Sequence, residues 1–269
     1  MRLWITGLFS LLLLVSGSVA TAKPLSPELK AQMAANLARG DLLYEYDQAA
    51  WHTTDAMMAA VPEALKKLLR GFVITPDGDN FRATYYGEDT NREFVVYAAS
   101  WDGKQIVRPF LPTAEPRPTV SADEHRLIAA RSVALDMKVI DKLVFCGKGT
   151  PNVAVIPGAK VSDPISVYVM TAQTETGIWP LGGHHRIDVK DGKIISQRAF
   201  TKACVNLGSA NKDEVPLSMA ISHFLDPVPT EIHAFTVHTS GVPLVVATVD
   251  GSQFALAREG GKITVVQDK

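Results

Sequence analysis

Apolar residues recur at helical spacing in the N-terminal part of the chain. Residues 26–28 combine an N-cap serine, a proline at the first helical position and an acidic residue in the first turn. The apolar residues that follow lie four positions apart: Leu29, Met33 and Leu37. This pattern predicts a first helix that ends at Gly40 and a second helix over residues 42–61. A short third helix is predicted from Pro62 until Gly71.

From residue 72 the pattern changes to short runs of aromatic and β-branched residues with turn residues between them. These runs predict a small antiparallel meander with strands at residues 72–75, 81–86, 94–101 and 105–108. Residues 109–120 contain four prolines, too many for a helix or an inner strand, and predict an extended linker. We therefore expect an N-terminal helix-plus-meander region over residues 23–108 and a β-rich region over residues 121–269.

The C-terminal region begins with one helix, and the apolar runs after it are typical of strands. Ser121 and Glu124 form a capping box ahead of that helix. Strands are predicted at residues 153–156, 165–171, 185–190, 193–204, 232–237, 244–249, 254–258 and 263–266, with a short helix near residues 217–224. The last four strands are expected to form a meander within one large sheet. The predicted fold class is α+β: N-terminal helices with a small antiparallel meander, then a capped helix and a larger mostly antiparallel sheet.

The first 22 residues have the parts of a secretory signal peptide. A positive charge at Arg2 precedes an apolar stretch over residues 3–15, and residues 20–22 have the small-x-small pattern of a cleavage site. An uncleaved anchor is disfavoured because the apolar stretch is shorter than the roughly 20 residues that span a bilayer. We expect cleavage after Ala22 and a mature protein in the periplasm or outside the cell, without stable membrane insertion.

Export changes the interpretation of the two cysteines, Cys146 and Cys204. An oxidising compartment favours a disulfide between a lone pair of cysteines. The loop that this bond closes would stabilise the fold by roughly 4 kcal/mol on the chain-entropy estimate. A redox-active pair is the alternative, and it is disfavoured because catalytic dithiols keep their cysteines two residues apart.

Composition and motifs exclude several classes of protein. The chain has 27 basic and 28 acidic residues, so it lacks the broad positive surface expected of a nucleic-acid-binding protein. The sequence motifs of serine-hydrolase elbows, phosphate loops, dinucleotide-binding turns and zinc-binding helices are missing. We therefore expect neither a cofactor nor a metal, and assign no catalytic residue.

Histidines concentrate in the C-terminal third: His184, His185, His223, His233 and His238. The adjacent His184 and His185 would point to opposite faces of a strand and could share a metal only at a bulge. Glu231 and His233 would share one face of a strand, either as an acid–base pair or as an exposed ion pair. His223 with Ser222 and Asp226 has the residue types of a hydrolytic triad, but sequence neighbours are seldom arranged in this way.

A predicted hairpin adds a second candidate pair. Asp191 and Gly192 predict a two-residue turn, and this register places His185 opposite Arg198. Two potentially cationic groups side by side repel unless an anion lies between them, either a carboxylate of the protein or a ligand. A solvent-open strand end is the simpler interpretation. The candidate ligand-binding residues are His185, Arg198, His233 and Glu231.

Four segments resemble a group of exported proteins of Gram-negative bacteria that has no assigned activity: residues 46–55, 182–186, 198–204 and 226–233. The resemblance implies an exported protein with a single architecture, and it brings no catalytic residue. The leading hypothesis is an exported binding or structural protein of the envelope, whose partner is an envelope protein or a small anionic ligand. The alternative is an exported hydrolase that uses His185 or His233 with a nearby carboxylate.

Overall fold

The computed structural model describes residues 24–90, 92–208 and 215–267, and the predicted signal peptide lies outside them. The helices are α1 (Pro27–Ala60), α2 (Glu63–Lys66), α3 (Ala122–Ala134), α4 (Met137–Ile140) and α5 (Glu231–Ser240). The first strands are β1 (Leu69–Asp77), β2 (Asn80–Glu88), β3 (Glu93–Trp101), β4 (Ile106–Phe110), β5 (Asn152–Ile156), β6 (Ile165–Met170) and β7 (Ile178–Pro180). The others are β8 (His185–Lys190), β9 (Lys193–Ala199), β10 (Asn206–Gly208), β11 (Met219–His223), β12 (Leu244–Thr248), β13 (Gln253–Glu259) and β14 (Lys262–Gln267). The α+β fold class is confirmed.

Helix α1 is continuous over 34 residues, so the predicted break at Gly40 is wrong. Gly40 is buried where α1 crosses α5. A Cβ added there would lie 2.5 Å from the Cβ of Ala234 and 2.6 Å from the carbonyl oxygen of Glu231. The glycine therefore allows the two helices to pack closely and does not end the helix. The third predicted helix is reduced to α2, because β1 already begins at Leu69.

The N-terminal meander has the predicted order β1-β2-β3-β4. Helix α1 packs against β2 and β3 of this sheet, and α3 packs against β1 on one side and against β6 and β8 on the other. The capping box that starts α3 is confirmed, since Ser121 and Glu124 exchange two hydrogen bonds. The helices therefore connect the meander to the sheets that follow.

The second sheet has the order β5-β6-β8-β9, and its β8–β9 hairpin turns at Asp191 and Gly192 as predicted. A bulge between Asp188 and Val189 shifts the pairing by one residue. As a result Arg186, and not His185, lies opposite Arg198. The predicted pairing of His185 with Arg198 is wrong, because the bulge cannot be read from the two turn residues.

The third sheet has the order β11-β12-β13-β14, and its first two strands are parallel. Residues 232–237 lie in α5, which connects this parallel pair, so the predicted strand there is wrong. The predicted helix near residues 217–224 is also wrong, because this segment contains β11. In its described residues, the C-terminal region thus forms two four-stranded sheets and the two-stranded β7–β10 pair, rather than one large sheet.

Cys146 and Cys204 form the predicted disulfide, with their Cα atoms 5.2 Å apart. The bond joins the loop after α4 to the loop between β9 and β10. Close to it, the N–H groups of Leu181 and Gly182 both donate to the carbonyl of Val205. The disulfide therefore fixes the position of two irregular segments relative to each other.

Helix α1 is also bound to the end of the chain through Asp41. Its buried carboxylate accepts a hydrogen bond from Nε2 of His238, at 2.7 Å, and one from the N–H of Ile263, at 3.1 Å. One apolar core contains side chains of α1, the meander and all three later sheets. In the described ranges, no helix has the length and apolar character needed to span a membrane.

Candidate functional site

His185 and Arg198 both line one cavity beside the disulfide, although they are not cross-strand partners. The cavity has a volume of about 470 Å³. Its lining includes two exposed lysines, Lys142 from the segment after α4 and Lys202 from the loop after β9. Among the lining residues within the described ranges, those with a full charge are all basic: Lys142, Arg198 and Lys202. We call this site, formed by His185 and these three residues, the basic cleft.

The side chain of His185 is held by the loop that precedes the disulfide. Only 6% of the residue is exposed, and its Nε2 donates to the carbonyl oxygen of Val144 at 2.9 Å. Its ring meets the edge of Phe145, with 5.7 Å between the centroids. Because a carbonyl only accepts, Nε2 carries the proton of the neutral ring and Nδ1 carries the lone pair.

Arg198 has a carboxylate partner within the protein. Its Nη2 lies 2.8 Å from Oδ2 of Asp226, and the same oxygen lies 2.9 Å from Nε2 of His223. The Arg198 guanidinium also stacks over Phe200 at 4.4 Å. Burial acts to raise the pKa of Asp226, but the hydrogen bonds from His223 and Arg198 outweigh it and hold this pKa below its ordinary value. Of the two anions considered for this position, the structure thus provides the carboxylate of the protein.

Glu231 is fully buried at the first turn of α5 and forms an ion pair with Arg186. The Tyr168 hydroxyl donates to the same Oε1 at 3.2 Å, and burial raises the pKa of this tyrosine. Arg186 Nε also lies 3.3 Å from a carboxylate oxygen of Asp188. This network connects α5 to β6 and β8, which is a structural role for Glu231.

His233 is buried on the same helix, but it does not pair with Glu231. Its Nδ1 accepts the N–H of Thr230 at 2.9 Å and so caps α5. Burial lowers the pKa of His233 to about 3, and the nearby His223 ring acts in the same direction. The expectation that Glu231 and His233 share the face of a strand is wrong, because they lie in the first turn of a helix. At neutral pH the His233 ring is uncharged and its acceptor nitrogen is occupied.

Two further cavities lie along α1. The larger has a volume of about 430 Å³ and lies between α1, β1 and β5. The smaller has a volume of about 90 Å³ and is lined by Asp47, by His184 and by threonines. The two cavities share Asp47, Asn152 and Met170 in their linings.

The sequence analysis did not select Asp47, and it treated His184 only as the neighbour of His185. One signal for Asp47 was present in the sequence: at helical spacing it shares a face with Leu43, Ala50 and Thr54. A carboxylate on the buried face of a helix needs an explanation. His184 gave no such signal, since its surroundings come from strands and helices far away in the sequence.

Comparison of the chain with models of known protein families, with curated proteins and with solved structures gives no match. The functional argument therefore depends on the geometry of the two sites.

Proposed function

We propose that the protein is an exported binding protein that takes a small anion in the basic cleft. The observation that supports this function most directly is the uniform sign of charge in the described lining, where Lys142, Arg198 and Lys202 surround a cavity of about 470 Å³. Like charges gathered around one cavity raise the local concentration of anions. An anion would compensate the charges of Lys142 and Lys202, since Asp226 already neutralises Arg198.

Arg198 is oriented for such a role by Asp226. The carboxylate takes one N–H of the guanidinium, which has five N–H donors in total, and Phe200 supports its flat face. A guanidinium that is fixed in this way, and that has more N–H groups than the one bound by Asp226, is well suited to oxygen anions such as phosphate, sulfate or carboxylates. Lys142 and Lys202 add positive charge on flexible stems.

The disulfide connects the proposed site to the proposed compartment. Lys142 lies four residues before Cys146, and Lys202 lies two residues before Cys204. The bond between the two cysteines keeps the two lysine-bearing segments close together, and such bonds persist in oxidising compartments. The site is therefore one that an exported chain can maintain.

The hydrolase alternative has less support from the geometry. Nε2 of His185 is occupied by the Val144 carbonyl, and Nδ1 of His233 is occupied by the N–H of Thr230. With a pKa of about 3, His233 does not exchange a proton near neutral pH. Catalysis by His233 would require its ring to leave Thr230, whereas His185 keeps the lone pair of Nδ1.

Anion binding can be tested by titrating inorganic phosphate into the protein at low ionic strength and following the heat of binding. The cleft variant is Lys142→Gln/Lys202→Gln, and the matched control is Lys160→Gln/Lys193→Gln, which removes the same charge from exposed positions that do not line the cleft. We expect the cleft variant to bind phosphate about tenfold more weakly, and the control to bind almost as well as the parent protein. Equal losses in the two variants, or no binding by the parent protein, would refute the proposal.

Export has its own test. Expression of the full chain in a Gram-negative host, followed by mass measurement of the protein from the periplasm and the medium, should give the mass of a chain that begins at Lys23 and has lost two hydrogens to the disulfide. A full-length mass in the cytoplasm would contradict both cleavage and export.

A further inference from the structure

The small cavity along α1 has an unusual hydrogen-bonding lining. Its volume is about 90 Å³, and it is enclosed by α1, α5, β7 and the loops next to the disulfide. We call it the acceptor chamber, defined by Asp47, Thr171, His184, Thr236 and Thr239. The polar groups of these residues offer lone pairs to the chamber while their hydrogens are used elsewhere.

The three threonines have already donated their hydroxyl hydrogens to backbone carbonyls. Thr171 Oγ1 donates to the carbonyl of Gly183 at 3.1 Å. Thr236 Oγ1 donates to Ile232 at 2.8 Å, and Thr239 Oγ1 donates to the carbonyl of Thr236 at 3.2 Å. A hydroxyl has one hydrogen and two lone pairs, so each oxygen keeps acceptor capacity and no donor. Thr171 Oγ1 keeps one lone pair, because it already accepts the N–H of Cys146 at 3.2 Å.

His184 adds a buried acceptor without a partner. The residue is 2% exposed, and its Nε2 donates to the carbonyl of Pro180 at 2.8 Å. Its Nδ1 therefore carries the lone pair, and no described group bonds to it. Burial lowers the pKa of His184 to about 4, so the ring is neutral at physiological pH. A buried acceptor without a partner is costly, and a donor from a ligand would satisfy it.

Asp47 provides the negative charge. Within the described ranges no lysine or arginine forms an ion pair with it, and burial raises its pKa to about 6, while the neighbouring Gln48 amide partly opposes this rise. At pH 7.5 the carboxyl group is mostly ionised. It thus remains a half-buried negative charge without a cation, which is unfavourable until one arrives.

The remaining walls suit a cation with an apolar body. The aromatic residues Trp179 and Phe235 belong to the lining of the chamber. The cavity next to it, which we call the apolar groove, is lined mainly by Trp51, Phe72, Ile74, Val153 and Met170. The donors of the chamber are the amides of Asn152 and Gln173 and the indole N–H of Trp179, and the amide of Gln173 already donates to the carbonyl of Glu175. The groove adds the Tyr46 hydroxyl and the Arg131 guanidinium.

We propose that the acceptor chamber binds the protonated amino group of a small amphipathic amine whose apolar part lies in the apolar groove. An ammonium group has three donors and no acceptor, which is the complement of this lining. A water-sized share of liquid volume is about 30 Å³, so the chamber accommodates a small head group and little more.

Other ligands fit the lining less well. An anion would face the Asp47 carboxylate and the lone pairs of the hydroxyl oxygens. A metal ion would need more strong ligands than Asp47 and His184, and no group of three His, Cys, Asp or Glu side chains suited to a metal occurs in the part of the chain that the structure describes. The site shares no lining residue with the basic cleft and has the opposite charge, although both adjoin the disulfide, so each proposal is tested with its own probe and variants.

The test uses 2-phenylethylamine as the probe, titrated at pH 7.5 into the protein with its disulfide intact. Two related probes, 2-phenylethanol and 3-phenylpropanoate, replace the ammonium by an isosteric hydroxyl and by a larger carboxylate. We expect the amine to bind at least about tenfold more tightly than either of them, since only the amine forms a charge-assisted hydrogen bond with Asp47. Equal binding of the alcohol would refute recognition of the ammonium group, and tighter binding of the carboxylate would refute the sign of the charge.

Variants place the amine in the chamber. Asp47→Asn keeps the shape and removes the charge, and we expect at least a tenfold loss of amine affinity with the folded structure retained. Glu45→Gln is the matched control: it removes one negative charge from an exposed position of the same helix and should bind as the parent does. Thr239→Val removes one acceptor and should weaken the amine but not the alcohol. If Asp47→Asn binds the amine as the parent does, or if Glu45→Gln loses as much, the proposal is wrong.

Discussion

Arg186 and Arg198 lie directly opposite each other on β8 and β9, and each guanidinium is bound to a different carboxylate. Glu231 at the start of α5 neutralises the first, and Asp226 in the loop before α5 neutralises the second. Two cross-strand arginines would repel on an isolated hairpin. The segment from residue 226 to residue 231 thus holds the hairpin in register by supplying one negative charge to each strand.

The ion pair of Arg186 with Glu231 predicts non-additive effects on stability. Arg186→Met leaves a fully buried carboxylate without its cation, and we expect the free energy of unfolding to fall by about 3–5 kcal/mol. Adding Glu231→Gln to this variant should recover part of the loss, because the unpaired charge is gone. Urea unfolding of both single variants and the double variant measures the coupling. Additive losses would show that the pair is not coupled, and Arg126→Met, in a more exposed pair, should cost less than about 1 kcal/mol.

The variant Gly40→Ala is expected to lose stability, whereas helix propensity alone would predict a gain. Alanine in place of an interior glycine usually stabilises a helix by about 1 kcal/mol. Here the added Cβ would meet Ala234 and the Glu231 carbonyl at 2.5–2.6 Å, so Gly40→Ala should lower the free energy of unfolding by about 2–3 kcal/mol. Thermal unfolding checks this, with the exposed Ala34→Gly as the control that isolates propensity. A stabilised Gly40→Ala variant would contradict the close crossing of α1 and α5.

Asp47 predicts a stability that falls as the pH rises. Its pKa is raised from 3.8 to about 6 by burial, so the folded protein holds this proton more tightly than the unfolded chain does. The resulting stabilisation is present below about pH 4 and is lost as the pH rises through 6. Charged neighbours in the two cavities are Asp55 and Arg131, and His184, with a pKa of about 4, is neutral above about pH 5.

The variant Asp47→Asn removes this dependence. We expect it to be more stable than the parent by about 3 kcal/mol at pH 7.5 and nearly as stable as the parent at pH 4, as measured by urea unfolding at the two values. Glu45→Gln should change the stability by the same small amount at both. A stabilisation of Asp47→Asn that is greater at pH 4 than at pH 7.5 would show that the sign is wrong.

The disulfide predicts a joint loss of stability and anion affinity. Cys146→Ser/Cys204→Ser should lower the free energy of unfolding by about 2–5 kcal/mol. In the fraction that remains folded, phosphate should bind more weakly because the segments that carry Lys142 and Lys202 are no longer joined. Phosphate titration well below the unfolding temperature separates the two effects. Unchanged affinity in the folded variant would show that the disulfide does not organise the basic cleft.

Local sequence signals predicted those elements whose ends are marked by capping or turn residues. The proline and serine at the start of α1, the capping box of α3 and the Asp191-Gly192 turn each satisfy backbone groups within a few residues, so they are legible in sequence. The disulfide could be predicted for a different reason, since the chain has only two cysteines.

The errors concern segments whose structure is decided by distant contacts. Gly40 was predicted to end a helix, but it is required because Ala234 of α5 packs directly against α1 at this position. The apolar run of α5 resembles a strand, and its burial against α1 on one side and the third sheet on the other removes the amphipathic pattern of a surface helix. The acceptor chamber was missed for the same reason. Its residues Asp47 and His184 are almost 140 positions apart in the sequence, and they come together only when the chain folds.

The attachment of α1 to the far end of the chain has a consequence for the order in which the molecule can form. Asp41 forms hydrogen bonds with residues 197 and 222 positions later. The space beside Gly40 is occupied by α5. During synthesis the apolar face of α1 therefore stays uncovered until nearly the whole chain has left the ribosome. A chain that is kept unfolded until it has crossed a membrane meets this condition, since all of its segments then become available together.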